Sequence, residues 1–194
     1  MSVSIGTQLV LDADSLRQQI ATRDEPSWLV ADRLAALERA AQMDLPAPNV
    51  EIWRKTDLRR MGYSLQGVRP WTSPPVGPDQ LPGELAGLLQ ADAAGAVMEI
   101  NGRSVQTTLA PELERRGVRF LSLEEAVRRY PDEVRQRLHG EAFAEDDVMS
   151  LLLRAGWSGG LFLHVPAGVV IERPLLFVSF LTEPAVGGLS HLLV

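Results

Sequence analysis

Apolar residues recur along this chain with two different periods. In the first part the period is helical. Val30, Leu34, Leu37 and Ala41 follow at steps of four, three and four, which stacks them on one helix face. Arg33, Glu38 and Arg39 fall on the opposite, solvent side in this reading. Asp24 ahead of Pro26 supplies a start signal, because Asp accepts free amides and proline is tolerated in a first turn. Asp12 or Asp14 caps a shorter helix reaching Ile20, so residues 12–43 predict helix, with Trp28 packed beneath the second start. Val148, Leu151, Leu152 and Ala155 repeat the pattern, opened by Asp146 or Asp147 and stopped by Gly156.

From Gly156 the pattern changes. Short runs rich in Val, Leu and Phe alternate with Gly and Pro corners up to Val194, which predicts brief strands that turn sharply and stack. The last run, ending on Leu192, Leu193 and Val194, carries no polar cap. Such a strand invites pairing with another, so the terminal strands are expected either to self-associate or to stay partly ordered.

The middle of the chain mixes both patterns. Asn101-Gly102 between Ala96–Ile100 and Arg103–Leu109 is a hairpin signal, since both turn positions need positive φ. Pro111 opens a short helix to Arg116, and Val118 to Leu121 reads as a strand. Ser122 with Glu125 forms a capping box, Tyr130-Pro131 interrupts the helix behind it, and a continuation runs to His139. Earlier, Pro46 and Pro48 end the second helix, a short turn follows near Thr56 and Asp57, and five prolines lie between Gly67 and Gly83. That proline-rich stretch reads as a connector, with a short helix over 83–91. The expected organisation is an N-terminal helical region (1–66), the connector (67–83), a mixed α/β segment (84–156) and stacked strands from 157 to 194. The fold class is α+β.

Composition narrows the function. At 194 residues with 45% hydrophobic content and a net charge of −6, the chain is a globular protein without the basic stripe a nucleic-acid partner favours. It holds no cysteine, so disulfides, Cys zinc sites and Cys nucleophiles are excluded within it. The absence of a signal-peptide pattern at Met1–Leu11 and of a long apolar run predicts a cytoplasmic protein without membrane contact.

Three constellations could carry chemistry. Gly156-Trp157-Ser158-Gly159-Gly160 fits G-x-S-x-G, the nucleophile elbow of serine hydrolases, with His164 and His191 downstream. The elbow needs a strand entering and a helix leaving, whereas the pattern here predicts a helix before and a strand after. His164, Glu172 and His191 could hold zinc or iron if their strands stack in register, yet no short-spacing pair accompanies them, and the pattern favours His164 as an outward-facing or hydrogen-bonded side chain. Trp53 beside Arg54 offers a stacking platform or, more simply, a buried indole covered by an arginine. His139 reads as helix-terminus chemistry. No phosphate loop or dinucleotide fingerprint occurs. On residues alone, a scaffold or interaction protein fits better than an enzyme. A freestanding ligand-binding module would need an aromatic groove built from Trp157, Phe162, Phe177 and Phe180.

Several stretches together resemble the SufB/SufD family of iron–sulfur cluster assembly proteins. Glu25-Pro26-Ser27-Trp28-Leu29 with Arg33 is similar to the family's N-terminal helix. Leu45-Pro46-Ala47-Pro48 leading to Glu51-Ile52-Trp53-Arg54-Lys55-Thr56-Asp57-Leu58 matches its P-x-x-x-x-E-x-W-R-x-T-D-L signature, in the SufD form. Gly159-Gly160 through Val165-Pro166-Ala167-Gly168-Val169 with Pro174 resembles the opening of the family's β-helix. The Asn101-Gly102 hairpin and Ser122–Ala126 are similar in order and context.

The resemblance covers nearly the whole chain and implies a non-catalytic scaffold subunit of the SufBCD complex. It implies the first rungs of a right-handed parallel β-helix from residue 157, partnership with SufB through strands, and engagement of the ATPase SufC through C-terminal helices that have no counterpart among these residues. The implied iron–sulfur cluster belongs to the full complex. No cofactor is expected on this chain alone, and no cluster ligand transfers to His164 or His191.

Overall fold

The computed structural model describes residues 13–21, 23–44, 46, 50–53, 55, 87, 92–138, 147–182 and 189–194. In chain order the elements are α1 (Ala13–Ala21), α2 (Ser27–Ala40), a 3-10 turn (Glu51–Trp53), β1 (Gly95–Ile100), β2 (Arg103–Leu109), α3 (Pro111–Arg115), β3 (Arg119–Ser122), α4 (Leu123–Arg129), α5 (Pro131–Arg137), α6 (Val148–Gly156), β4 (Gly159–His164), β5 (Leu175–Phe180) and β6 (Ser190–Leu193). The chain forms two compact units, Met1–Val68 with Glu141–Gly156 and Arg69–Gly140 with Trp157–Val194. The proline-rich stretch, the Arg54–Leu58 signature except Lys55, the 83–91 helix except Gly87, and His139 lie outside the described residues.

The first unit is helical. Asp147 starts α6 as the sequence suggests, its Oδ2 accepting from the Ser150 amide at 2.9 Å and from the Ser150 hydroxyl at 2.8 Å. Val148, Leu151, Leu152 and Ala155 are all buried. In α2 the buried face is rotated from the expected one. Leu29, Arg33, Ala36, Leu37 and Ala40 are buried, while Val30 and Leu34 are half-buried and Ala41 is exposed. The small side chains Ala36 and Ala40 allow close packing against α6.

Arg33 was expected in solvent and is fully buried because its charge is matched. Its Nε and Nη2 each donate to a Glu25 oxygen at 2.9 Å, and Nη1 donates to the Ala155 carbonyl at 3.1 Å. Burial lowers the Arg33 pKa, and the Glu25 carboxylate opposes that shift. Arg154 forks onto Asp32 alongside, its Nε 3.0 Å from Oδ1. The start of α2 also differs. Pro26 is the N-cap, with φ −59° and no side-chain cap bond, so Asp24 does not fill that role. The Pro26 carbonyl instead accepts from Leu29 and Val30, at 2.9 and 3.2 Å.

The second unit holds two three-stranded sheets, ordered β2-β1-β5 and β3-β4-β6. Asn101 and Gly102 take φ of 51° and 75°, as a two-residue hairpin turn requires, and Ile100 pairs with Arg103 across it. The hairpin strands β1 and β2 are antiparallel, as are β3 and β4. The remaining pairs, β1 with β5 and β4 with β6, are parallel. The chain therefore leaves β4 in the second sheet, turns a corner at Gly168 (φ 77°), runs along β5 in the first sheet, and returns as β6 beside β4. That path is one complete circuit of a coil.

The sheets share a core. Val97, Phe120 and Leu161 are buried together, with Leu109, Leu163, Leu175 and Phe177 packed against them. A neighbouring cluster of Ala94, Leu113 and Val118 seals the corner side, with Val169 and Ile171 over it. Ser122 caps α4, accepting from the Glu125 amide at 3.3 Å, but the Glu125 carboxylate pairs with Arg129 rather than closing the box. Proline cannot continue α4, so Tyr130 breaks it and α5 starts at Pro131. Among the described residues no helix is long and apolar enough to cross a membrane.

Candidate functional site

Among the described residues of the second unit, a buried polar cluster lies under the Asn101-Gly102 turn. β1 is buried along its whole length, including Glu99 at 0% exposure. A carboxylate that deep must be satisfied by hydrogen bonds. Its Oε2 accepts from the Gly160 amide at 2.9 Å, and its Oε1 accepts from the Ser190 hydroxyl. One side chain of the first sheet thus ties together β4 and β6 of the second.

The glycine pair at the start of β4 makes room for this. A Cβ on Gly159 would stand 2.1 Å from Glu99 Oε2, and one on Gly160 would stand 1.9 Å from the His191 carbonyl oxygen. Gly160 also has φ 134°, which L side chains rarely adopt. Asn101 completes the junction toward β5. Its Nδ2 donates to Thr182 Oγ1 at 2.8 Å, its Oδ1 accepts from the Thr182 amide at 2.9 Å, and its own amide reaches the Phe180 carbonyl at 2.8 Å. The hairpin turn is therefore clipped to β5 by Asn101 and to β4 and β6 by Glu99.

The sequence candidates fall out differently. Ser158 follows the end of α6 at Gly156 and precedes β4 at Gly159, the reverse of a strand-to-helix elbow. It is 1% exposed, and its amide donates to the Leu189 carbonyl at 2.8 Å, prolonging the β4–β6 ladder. His191 is buried and pairs with Gly160, whereas His164 is half-buried at the far end of β4 beside Arg119. Four residues separate Gly160 from His164, a rise of about 13 Å along the strand. Glu172 is exposed in the corner beyond. The fold does not bring His164, Glu172 and His191 to one point. Trp157 and Phe162 are core residues at 1% and 2% exposure, so they line no open aromatic groove. Trp53 is half-buried in the 3-10 turn.

Glu99 and Ser190 were not singled out from the sequence. The available signal was an acid between Met98 and Ile100 inside an apolar run, facing a Gly-Gly pair further on. A second charged group surrounds Tyr130. The Arg119 guanidinium lies 4.2 Å from the ring centre and the Arg129 guanidinium 5.5 Å from it, while Phe162 stacks on the ring at 6.4 Å. Arg119 pairs with Glu133, holding that carboxyl below the ordinary carboxylate range. Arg129 pairs with Glu125 at 2.9 Å, and that hydrogen bond, with the Tyr130 field, raises the Arg129 pKa.

Comparison with known proteins finds likenesses in sequence. Residues 91–176 match the SufBD protein N-terminal region, a span from the lead into β1 to the first residues of β5. Over 99% of its length the chain is 24% identical to the iron–sulfur cluster assembly protein SufD of Bacillus subtilis, covering 44% of that protein. It is 27% identical to an iron–sulfur cluster assembly SufBD family protein of Mycobacterium tuberculosis, across 82% of this chain and 20% of the relative. It is also 27% identical to SufB of Bacillus subtilis, across 79% of this chain and 34% of the relative. The chain spans less than half the length of these relatives, and it is SufD-like, similar to the N-terminal portion of SufB and SufD proteins.

Proposed function

We propose that this chain is a non-catalytic, SufD-like scaffold for iron–sulfur cluster assembly, acting in the cytoplasm with SufB and SufC. The observation that carries the reading is the coil of β4, β5 and β6, joined to a likeness to SufD that runs through the whole chain. In this reading the coil is the first part of a right-handed parallel β-helix, and the free edges of β5 and β6 accept further strands, from this protein or from a partner. Edges of parallel strands are templates for such addition. The cluster itself is cargo of the assembled complex.

The G-x-S-x-G match gives the serine hydrolase reading little support, since Ser158 is buried in the reversed context. A test is co-expression of this chain with SufB and SufC from one host, followed by affinity purification and iron and sulfide analysis. Co-purification with SufB, with iron and sulfide in the SufB-containing fraction, is the expected result. A chain that stays apart from both partners while hydrolysing an ester in a Ser158-dependent manner would overturn the scaffold reading.

A further inference from the structure

The Asn101-Gly102 turn is also a reactive pair. Asparagine is chemically labile, most of all ahead of glycine, where no side chain shields the following amide nitrogen from the asparagine carboxamide carbon. The fold holds that reaction back. Asn101 is 2% exposed, and its carboxamide is pinned at both ends by one residue. Nδ2 donates to Thr182 Oγ1 at 2.8 Å, and Oδ1 accepts from the Thr182 amide at 2.9 Å. Two bonds to the same residue fix the plane of the carboxamide, so Cγ cannot turn toward the Gly102 nitrogen. The pin is the weak part. Thr182 is exposed, it follows the end of β5 at Phe180, its neighbour Leu181 is 49% exposed, and β5 is an edge strand. Strand ends of that kind open locally at far lower cost than a core unfolds.

We propose that Asn101 is a self-modification site gated by Thr182, so that the side-chain amide is lost only in chains whose β5 end has lifted from the hairpin. Solvent base takes the Gly102 amide proton, the Gly102 nitrogen bonds to Asn101 Cγ, and the Cγ–Nδ2 bond breaks with release of ammonia. Water then opens the cyclic imide. Attack at Cγ gives aspartate, and attack at the backbone carbonyl carbon gives isoaspartate with one extra methylene in the main chain. Neither product refits. Isoaspartate lengthens a two-residue turn whose flanks, Ile100 and Arg103, are paired. Aspartate sets a second carboxylate two positions from the buried Glu99. The change is irreversible and therefore records whether β5 had closed onto the hairpin.

The test incubates the folded full chain at mildly alkaline pH and follows residue 101 by peptide mass spectrometry with isoaspartate detection. A free peptide spanning Glu99–Ser104 is the ungated reference. The folded chain should convert at least about a hundredfold more slowly than the peptide. Thr182→Val keeps the amide donor and loses the hydroxyl acceptor, and it should convert about fivefold faster than the parent, the worth of one hydrogen bond. Thr182→Ser restores the acceptor and should return the parent rate. Leu113→Ala lowers overall stability from the corner cluster without touching the pin, and should leave the rate unchanged. Conversion of the parent at the peptide's rate, or no acceleration in Thr182→Val, would overturn the proposal. So would equal acceleration in Leu113→Ala and Thr182→Val, which would tie the reaction to global unfolding. Far-UV circular dichroism and urea midpoints of each variant separate local opening from loss of fold.

Discussion

Glu99 joins the two sheets of the second unit through a single side chain, because it satisfies groups on two strands of the opposite sheet. Its removal by Glu99→Ala leaves a buried amide without its acceptor and should cost about 3 kcal/mol in urea unfolding. Glu99→Gln can keep its carbonyl oxygen toward Gly160 and turn its amide toward Ser190, whose hydroxyl then accepts. That variant should cost about 1 kcal/mol. Equal losses in both would mean the charge, not the bonding pattern, is what β1 requires. Gly160→Ala should be harsher than either, since the new methyl meets the His191 backbone and the backbone is strained as well. None of this follows from local sequence. An acid in an apolar run looks like an outward-facing strand position until the second sheet is known to cover it.

Among elements, α2 shows how one ion pair redirects a helix face. The periodicity of Val30, Leu34, Leu37 and Ala41 locates the helix but misplaces its buried stripe by one position, because Arg33 reads as solvent-facing unless Glu25 is known to reach it. Glu25→Gln should destabilise the helical unit by on the order of 3 kcal/mol, as it removes the carboxylate that matches a buried guanidinium, with hydrogen exchange of α2 amides as the measure. The Arg119–Glu133 pair is a milder case with a pH signature. The folded Glu133 titrates below its unfolded value, so its contribution is present above the ordinary carboxylate range and disappears as the pH falls through the folded value. Its acid-side loss should be small, shrink with added salt because both partners are partly exposed, and vanish in Glu133→Gln. The hairpin turn, the α6 start and the break at Tyr130 were legible because each depends on residues only a few positions apart.

At the scale of the molecule, the alternation of apolar runs with Gly and Pro corners announced stacked strands, but not which strand would neighbour which. Parallel partners such as β1 and β5 lie about eighty residues apart, in register from Gly95–Leu175 to Ile100–Phe180, and no local pattern encodes that pairing. Hydrogen exchange should rank the strands by position in their sheets. The central strands β1 and β4 should be slowest, and the edge strands β5 and β6 faster. The two antiparallel strands β2 and β3 lie against each other at one end of the paired sheets, and both parallel additions, β5 and β6, are made on the other side. The assembly therefore has a direction. The one described circuit, β4–β5–β6, is laid on a seed made by the β1–β2 hairpin and the antiparallel β3–β4 pair. Order is then expected to advance from that seed in the sense in which a ribosome delivers the chain, so that strands made later find a finished surface waiting for them.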